Sequence, residues 1–381
     1  MALASADAAV PAVYLGLRSA GRYGPSSPDN PATGEVIFGM SAQNPLSRRI
    51  LVTGASGFVG QFLLEKLTSN IQAGTMIVAL HNRRLDAALK DRFGDCVAWT
   101  KADIAADDLS EVVAGVDTAF HLAAYSTTSE SDDECRHLER VNVLGTRRLA
   151  SACKDGGVKH FILVSSIAAC ENATLSEIDE TNGFPVSAYG RSKRAAEQLL
   201  MEMAGNGFEA TVLRPTALFG ETHLGSIYEL AKLIAQRRFF QFGKGNGQTN
   251  FYYIRDFVDV LSAVQLDPRT YGQTFIAADE PVRLFDLVSL ISAELELRCN
   301  VLNIPYSLGL CVAITCDVAS KIIGRPLPLS TRRFRAMTGN TSYSSRKLRE
   351  VLGIFPAFGM REGLRRAIAW YRVAELISTR P

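Results

Sequence analysis

Residues 50–60, ILVTGASGFVG, constrain the fold more than any other stretch: a short β-rich run leads straight into glycines at 54, 57 and 60. Such a run reads as a strand that turns sharply into a helix. Phe62, Leu63 and Leu67 follow at the spacing of one helical face. Five further apolar runs recur at 76–80, 96–100, 118–122, 161–165 and 210–213, separated by segments of helical period such as Val141, Leu144 and Leu149. This alternation predicts an α/β fold, a doubly wound parallel sheet with helices on both faces.

A strand-to-helix turn of this kind presents backbone N–H groups at a helix N-terminus, where negative charge is favoured, and glycine removes the Cβ that would block a close approach. Gly54, Ser56, Gly57, Phe58, Val59 and Gly60 are therefore candidate contacts for a pyrophosphate. Further on, Tyr189 and Lys193 stand four residues apart in SAYGRSKRAAEQLL, one helical turn from each other on the same face. A phenol with a pKa near ~10 becomes a base at neutral pH only if a neighbouring cation stabilises the phenolate. Lys193 supplies that cation. Ser166, with Ser165 as the neighbouring alternative, closes the run FILVSS, at the C-terminal end of a parallel strand where ligands are met. Together the three read as a hydride-transfer site, with Tyr189 handling the proton and Ser166 holding the substrate oxygen.

The T-G-x-x-G-x-x-G turn followed by Y-x-x-x-K resembles the extended short-chain dehydrogenase/reductase family, in its NAD-dependent epimerase/dehydratase, nucleotide-sugar branch. The resemblance spans 49–220 and implies a Rossmann-type domain that carries a smaller mixed α/β substrate lobe. It implies cofactor contacts at Asp103 and Ile104, at Leu122, Ala123 and Ala124 of HLAA, at Tyr189 and Lys193, and at Pro215 and Thr216 after Arg214. Aligning VSSIAAC with the family's serine strand favours Ser166 over Ser165. Asn142, in VNVLGT, matches the family's helical Asn and joins the catalytic set. The end of the second strand reads Leu80-His81-Asn82-Arg83-Arg84, without the carboxylate that would favour a free ribose. Asn82 and Arg83 are candidate contacts there, and the expected cofactor is NADP(H) or NAD(H), with NADP(H) preferred.

The resemblance divides the chain into a dinucleotide-binding domain at 46–220, to which 251–278 return, and a substrate lobe made of 221–250 and 279–381. Residues 242–247 and 251–258, and the late segment LGIFPAFGMREGLRRAIAWYR, are similar to the nucleotide-sugar branch. A diphosphate needs cationic donors, and Arg237, Lys244 and Arg255 are the expected substrate contacts, with Arg238 and Arg283 nearby. The strand after Ser166 lacks the Asp-Glu pair used for water elimination, so dehydration is disfavoured. An epimerase or 4-keto reductase acting on a nucleotide-diphosphate sugar is expected. The alternatives are a hydroxysteroid or dihydroflavonol-type alcohol dehydrogenase using NADPH, and a cofactor-sensing module without catalysis. A homodimer paired through the helices of Asn142 and Tyr189 is also implied.

Composition closes off other classes. The net charge of +2 comes from 41 basic and 39 acidic residues, evenly mixed, which makes nucleic acid a poor partner. Seven scattered cysteines form no metal-ligand pattern, so no metal is expected, and they suit a reducing cytoplasm. Residues 1–45, rich in Ala, Ser, Pro and Gly, are expected to be a disordered tail, with Met40 as an alternative start. The apolar stretch Tyr306–Ile323 is interrupted by Asp317 and Lys321, and the expectation is a buried helix rather than membrane contact.

Overall fold

A computed structural model describes residues 49–71, 74–82, 85–171, 176–298, 302–323, 325, 327 and 330–377, apart from the side chains at 321, 332, 333, 336 and 337. The expected tail at 1–45 lies outside these residues. All six apolar runs form strands: β1 (Arg49–Thr53), β2 (Met76–His81), β3 (Val97–Lys101), β4 (Thr118–His121), β5 (His160–Val164) and β6 (Glu209–Pro215). A seventh, β7 (Gln273–Ala277), pairs with β6. Every pairing is parallel, in the order β3-β2-β1-β4-β5-β6-β7. The order reverses between β1 and β4, which opens a crevice at their C-terminal ends.

The strands read as continuous apolar runs because both faces of the sheet are covered. Ile50 and Val52 point into one core layer and Leu51 into the other. Besides the short helices Ala87–Phe93, Ser110–Val113 and Arg346–Leu352, the helices are α1 (Phe58–Ser69), α2 (Asp132–Leu138), α3 (Thr146–Asp155), α4 (Ala188–Met203), α5 (Ser226–Ala235), α6 (Ile254–Val264), α7 (Leu284–Glu294), α8 (Tyr306–Ile323), α9 (Thr331–Thr338) and α10 (Gly359–Val373). A π-helical turn, Glu139–Gly145, joins α2 to α3. Phe62 and Leu63 of α1 pack with Ile254, Phe257 and Leu261 of α6 on one face, while Leu149, Ala150, Ala196 and Leu200 of α3 and α4 cover the other.

Most of the C-terminal part shares the core of the sheet, and only a small cluster of Phe242, Ala313 and Phe334 stands apart. Ile227 and Ala231 of α5, Leu287 and Ile291 of α7, and Leu364, Ile368 and Tyr371 of α10 belong to the same apolar layer as α1 and α6. Helix α8 departs from expectation. Instead of being buried, it exposes Leu308, Val312, Ile314, Val318, Ile322 and Ile323, and turns Gly309, Ala313 and Asp317 toward the protein. Hydropathy along the sequence reports how apolar a segment is, and only the packing decides which arc is covered.

Candidate active site

The glycine turn is built by steric exclusion. Gly54 has φ +66°, and a Cβ there would lie 2.8 Å from the backbone N of Ala123 at the end of β4. A Cβ on Gly60 would lie 2.4 Å from the carbonyl O of Gly54, so α1 can pack this closely on the turn only with glycine at that position. Gly57 is the N-cap of α1, and no side chain caps the helix. Backbone donors at this terminus are left for a ligand. A cradle that a Cβ would fill and an uncapped helix start fit the pyrophosphate of a dinucleotide. Ser56, Phe58 and Val59 are half-buried around it.

Across the crevice, Leu122 and Ala123 are partly covered and Ala124 is exposed. Ile104 is buried against Gly145 of the π-helical turn. The Asp103 carboxylate accepts from Ala105 N at 2.9 Å and faces Arg140 at 3.4 Å. Pro215 ends β6, and Thr216 N donates to Ala277 O at 3.0 Å. Asn82 is exposed just past β2; Arg83 and Arg84 lie outside the described residues.

Ser166, Tyr189 and Lys193 come together at the ends of β5 and α4. Ser187 caps α4, accepting from Gly190 N at 3.0 Å, which fixes where the helix begins and hence where Tyr189 points. Gly190 lets α4 approach the 3₁₀ turn Ile167–Cys170 closely, since a Cβ there would meet Ala168 O at 2.1 Å. The Ser166 hydroxyl lies beside the Tyr189 phenol. Burial raises the pKa of the phenol, and the neighbouring Ser166 hydroxyl opposes that shift. Beneath them Lys193 is buried and its Nζ donates to Val164 O at 2.8 Å. Desolvation pushes this ammonium down to about 8, with the Glu197 carboxylate pulling the other way.

Asn142 sits in the π-helical turn, a feature that often marks functional positions. Its Oδ1 accepts from Tyr125 N at 2.8 Å, and its Nδ2 donates to Tyr125 O and to Ser192 Oγ, each at 2.9 Å. Ser192 in turn donates to Tyr189 O at 2.8 Å. The described bonds therefore make Asn142 a support for the tyrosine-bearing turn and for the loop after β4.

Two buried networks behind the site were not read from the sequence. In the first, Thr146 Oγ donates to Asn142 O at 2.6 Å and so receives the His121 Nε2 proton at 2.9 Å. Thr53, at the end of β1, accepts from Ala123 N and donates to His121 Nδ1 at 2.7 Å. Desolvation, helped by the Lys193 charge, holds His121 down at about 3, which keeps the ring neutral in this chain of bonds. In the second, Arg214 holds Glu197 through Nε at 3.0 Å and a terminal nitrogen at 2.7 Å, and Ser165 Oγ donates to Glu197 at 2.5 Å. The available sequence signal was Glu197 itself, an acid one turn after Lys193 on the inward face of α4.

Of the expected substrate contacts, Arg237 and Lys244 are exposed, Arg237 just past α5 and Lys244 between Gly243 and Gly245. Arg255 is placed differently from expectation. Its guanidinium pairs with Glu65 of α1 at 2.9 Å and Glu221 at 3.3 Å, and lies 5.0 Å from the Phe62 ring centroid. Arg283 pairs with Asp286 at 2.6 Å. Among the described residues no group of His, Cys, Asp and Glu could hold a metal ion.

The family described as "NAD dependent epimerase/dehydratase family" matches residues 50–275. An N-acetyl-alpha-D-glucosaminyl-diphospho-ditrans,octacis-undecaprenol 4-epimerase of Escherichia coli O157:H7 is 27% identical over 85% of this chain and 96% of its own length. A decarboxylating sterol-4-alpha-carboxylate 3-dehydrogenase of Saccharomyces cerevisiae is 26% identical over 84% of this chain and 97% of its own. The crystal structure of UDP-glucuronic acid 4-epimerase from Bacillus cereus, in complex with NAD, superposes with a TM-score of 0.68 at 19% identity. That overlap covers 87% of this chain and 98% of the other, and shows the shared fold.

Proposed function

Because the chain belongs to the NAD dependent epimerase/dehydratase family, we propose that it transfers hydride at a carbinol or ketone carbon of a diphosphate-linked sugar, as a nucleotide-sugar epimerase or 4-keto reductase. The observation that carries this reading is the convergence of Ser166 and Tyr189 above the buried Lys193. Tyr189 takes the proton of the substrate hydroxyl and returns it in the reverse direction. Lys193 stabilises the phenolate, anchored for that task by its bond to Val164 O. Ser166 donates to the substrate oxygen as it becomes a carbonyl. A dinucleotide held on Gly54, Gly57 and Gly60 would supply the hydride acceptor and, on return, the donor.

The cofactor is NAD(H) or NADP(H). β2 ends on His81 and is followed by Asn82, with no carboxylate to repel a 2′-phosphate, which supports NADP(H); the Bacillus cereus neighbour was solved with NAD. Titration of the protein with each dinucleotide tests this preference. Arg237 and Lys244 are the donors we assign to the substrate diphosphate, since Arg255 is engaged elsewhere. We further propose a homodimer through the π-helical turn that carries Asn142, its continuation α3, and α4, supported by the exposed Leu144 of that turn and tested by analytical ultracentrifugation. A cytoplasmic location is supported by six unbridged cysteines among the described residues.

The deciding experiment is to denature the purified protein and identify the released nucleotide by chromatography with mass detection. Tightly held, near-stoichiometric dinucleotide supports the epimerase, whose hydride returns to the same substrate; an empty protein that binds NADPH reversibly supports the reductase. Tyr189→Phe should cut kcat by about 10²–10⁴-fold while the dinucleotide still binds. Full activity in that variant would sink the mechanism. A second reading, an alcohol dehydrogenase for an apolar substrate, is favoured by the similarity to the yeast sterol dehydrogenase. Ketone-dependent NADPH oxidation across a steroid panel tests it.

A further inference from the structure

Helix α8 is packed the wrong way round for a soluble amphipathic helix. Its inward stripe is small and polar. Gly309 sits so close to Phe242 that a Cβ would come within 2.3 Å of the ring, Ala313 is fully covered, and Asp317 accepts from Thr331 N at 3.1 Å to start α9. Ser320 Oγ accepts from Leu327 N at 3.0 Å. The outward arc is mainly apolar, with Leu308, Val312, Ile314, Val318, Ile322 and Ile323 exposed, Val318 at 55% and Ile322 at 80%, and with Cys311 and the small polar Ser307 and Thr315 beside them. None of the exposed described residues of α8 is charged. The apolar surface extends to the paired strands Phe240–Phe242 and Leu302–Ile304, where the partners Phe240 and Leu302 are both exposed. An arc this wide is more than scattered surface apolarity and calls for an occupant.

Charge indicates which occupant. Between 298 and 338 the only acid is Asp317, which is turned inward onto Thr331, against six basic residues, Arg298, Lys321, Arg325, Arg332, Arg333 and Arg335. Residues 236–247 add Arg238, besides the Arg237 and Lys244 assigned to the substrate, and no acid. A chain of net charge +2 has therefore gathered its excess cations in the one module that exposes an apolar helix. Arg238, Arg298, Arg325 and Arg335 are exposed and have no ion-pair partner among the described residues. Strands and helices of this module are tied together by Phe242, Tyr306 and Phe334, whose rings stack edge to face or tilted at 4.9–5.1 Å. A second copy placed on α8 would bring the same cations against these, because a two-fold contact pairs a surface with itself. An anionic lipid surface satisfies both features at once: headgroups neutralise the arginines and acyl chains take the apolar arc.

We propose that α8 lies flat in the interface of an anionic bilayer and seats the enzyme on it as a peripheral protein. No helix among the described residues is long and apolar enough to cross a membrane, so α8 rests on the surface rather than spanning it. The proposal does not depend on which sugar or ketone the active site takes.

The test is flotation of the full chain with phosphatidylcholine vesicles with and without phosphatidylglycerol. The protein should float only with the anionic vesicles and release as salt rises. The pair Val318→Glu and Ile322→Glu should weaken binding at least about tenfold, since charge on the inserted face opposes burial. Arg325→Gln with Arg335→Gln should also weaken it, without altering the apolar arc, which keeps the test decisive if the glutamate variant folds poorly. Absence of flotation, or flotation that both variant pairs leave unchanged, overturns the proposal. So does a concentration-dependent dimer that Val318→Glu dissociates in a protein indifferent to vesicles.

Discussion

Lys193 is the residue on which the chemistry and the stability of the fold pull in opposite directions. In the proposed mechanism its ammonium must be charged to favour the Tyr189 phenolate, yet burial lowers its pKa from 10.5 to about 8. A folded pKa below the unfolded one means that the proton is held more weakly in the fold. The penalty is complete below pH 8 and is relieved between pH 8 and 10.5, where the unfolded chain still carries the proton that the folded one has released. The difference amounts to about 3 kcal/mol at most. Urea unfolding at several pH values should show wild type gaining stability relative to Lys193→Met across that window. Parallel curves for the two proteins would mean that Lys193 is not desolvated as described. The tyrosine and lysine were legible in the sequence because four-residue spacing on a helix is a local rule. The lysine's bond to Val164 O was not, because it joins α4 to β5 across 29 positions.

At the scale of elements, the buried Arg214–Glu197 pair fastens β6 to α4, the helix that presents Tyr189 and Lys193. Both side chains are at most 4% exposed, and Ser165 at the end of β5 adds a third tie. Removing one partner of such a pair leaves an uncompensated charge in the core, whereas removing both leaves only altered packing. Arg214→Met should therefore destabilise by about 3–5 kcal/mol, and Arg214→Met with Glu197→Gln should recover much of that loss, as measured by chemical denaturation. Equal losses in the single and double variants would assign the cost to packing instead. The sequence suggested Arg214 only as part of a family segment. Its partner lies 17 residues earlier, and pairing over that distance follows from β6 lying beside β5 rather than from any local pattern.

For the molecule as a whole, Arg255 shows how the chain after 250 is bound back to the dinucleotide-binding domain. On α6 it reaches Glu65 of α1 and Glu221 beyond the strand Ala217–Phe219, over the Phe62 ring. The pairs are partly exposed, so screening keeps their value small. Arg255→Ala should cost about 1 kcal/mol and speed hydrogen exchange in α1 and α6, with little change in KM. A large rise in KM with unchanged exchange would restore Arg255 to the substrate site. Sequence reading put this residue among the diphosphate donors because a lone arginine in a resembling segment carries no mark of its partners.

What the sequence determined by itself was the course of the strands from β1 to β6, the glycine turn and the placing of Tyr189 and Lys193 one turn apart on α4. Each rests on periodicity or spacing within a few residues, where backbone sterics and side-chain direction act locally. Tertiary structure alone decided the neutral His121 in its chain of bonds, the Arg214–Glu197 pair and the outward arc of α8. Those depend on which surfaces meet once the sheet has closed, and meeting is a property of packed elements rather than of neighbours along the chain.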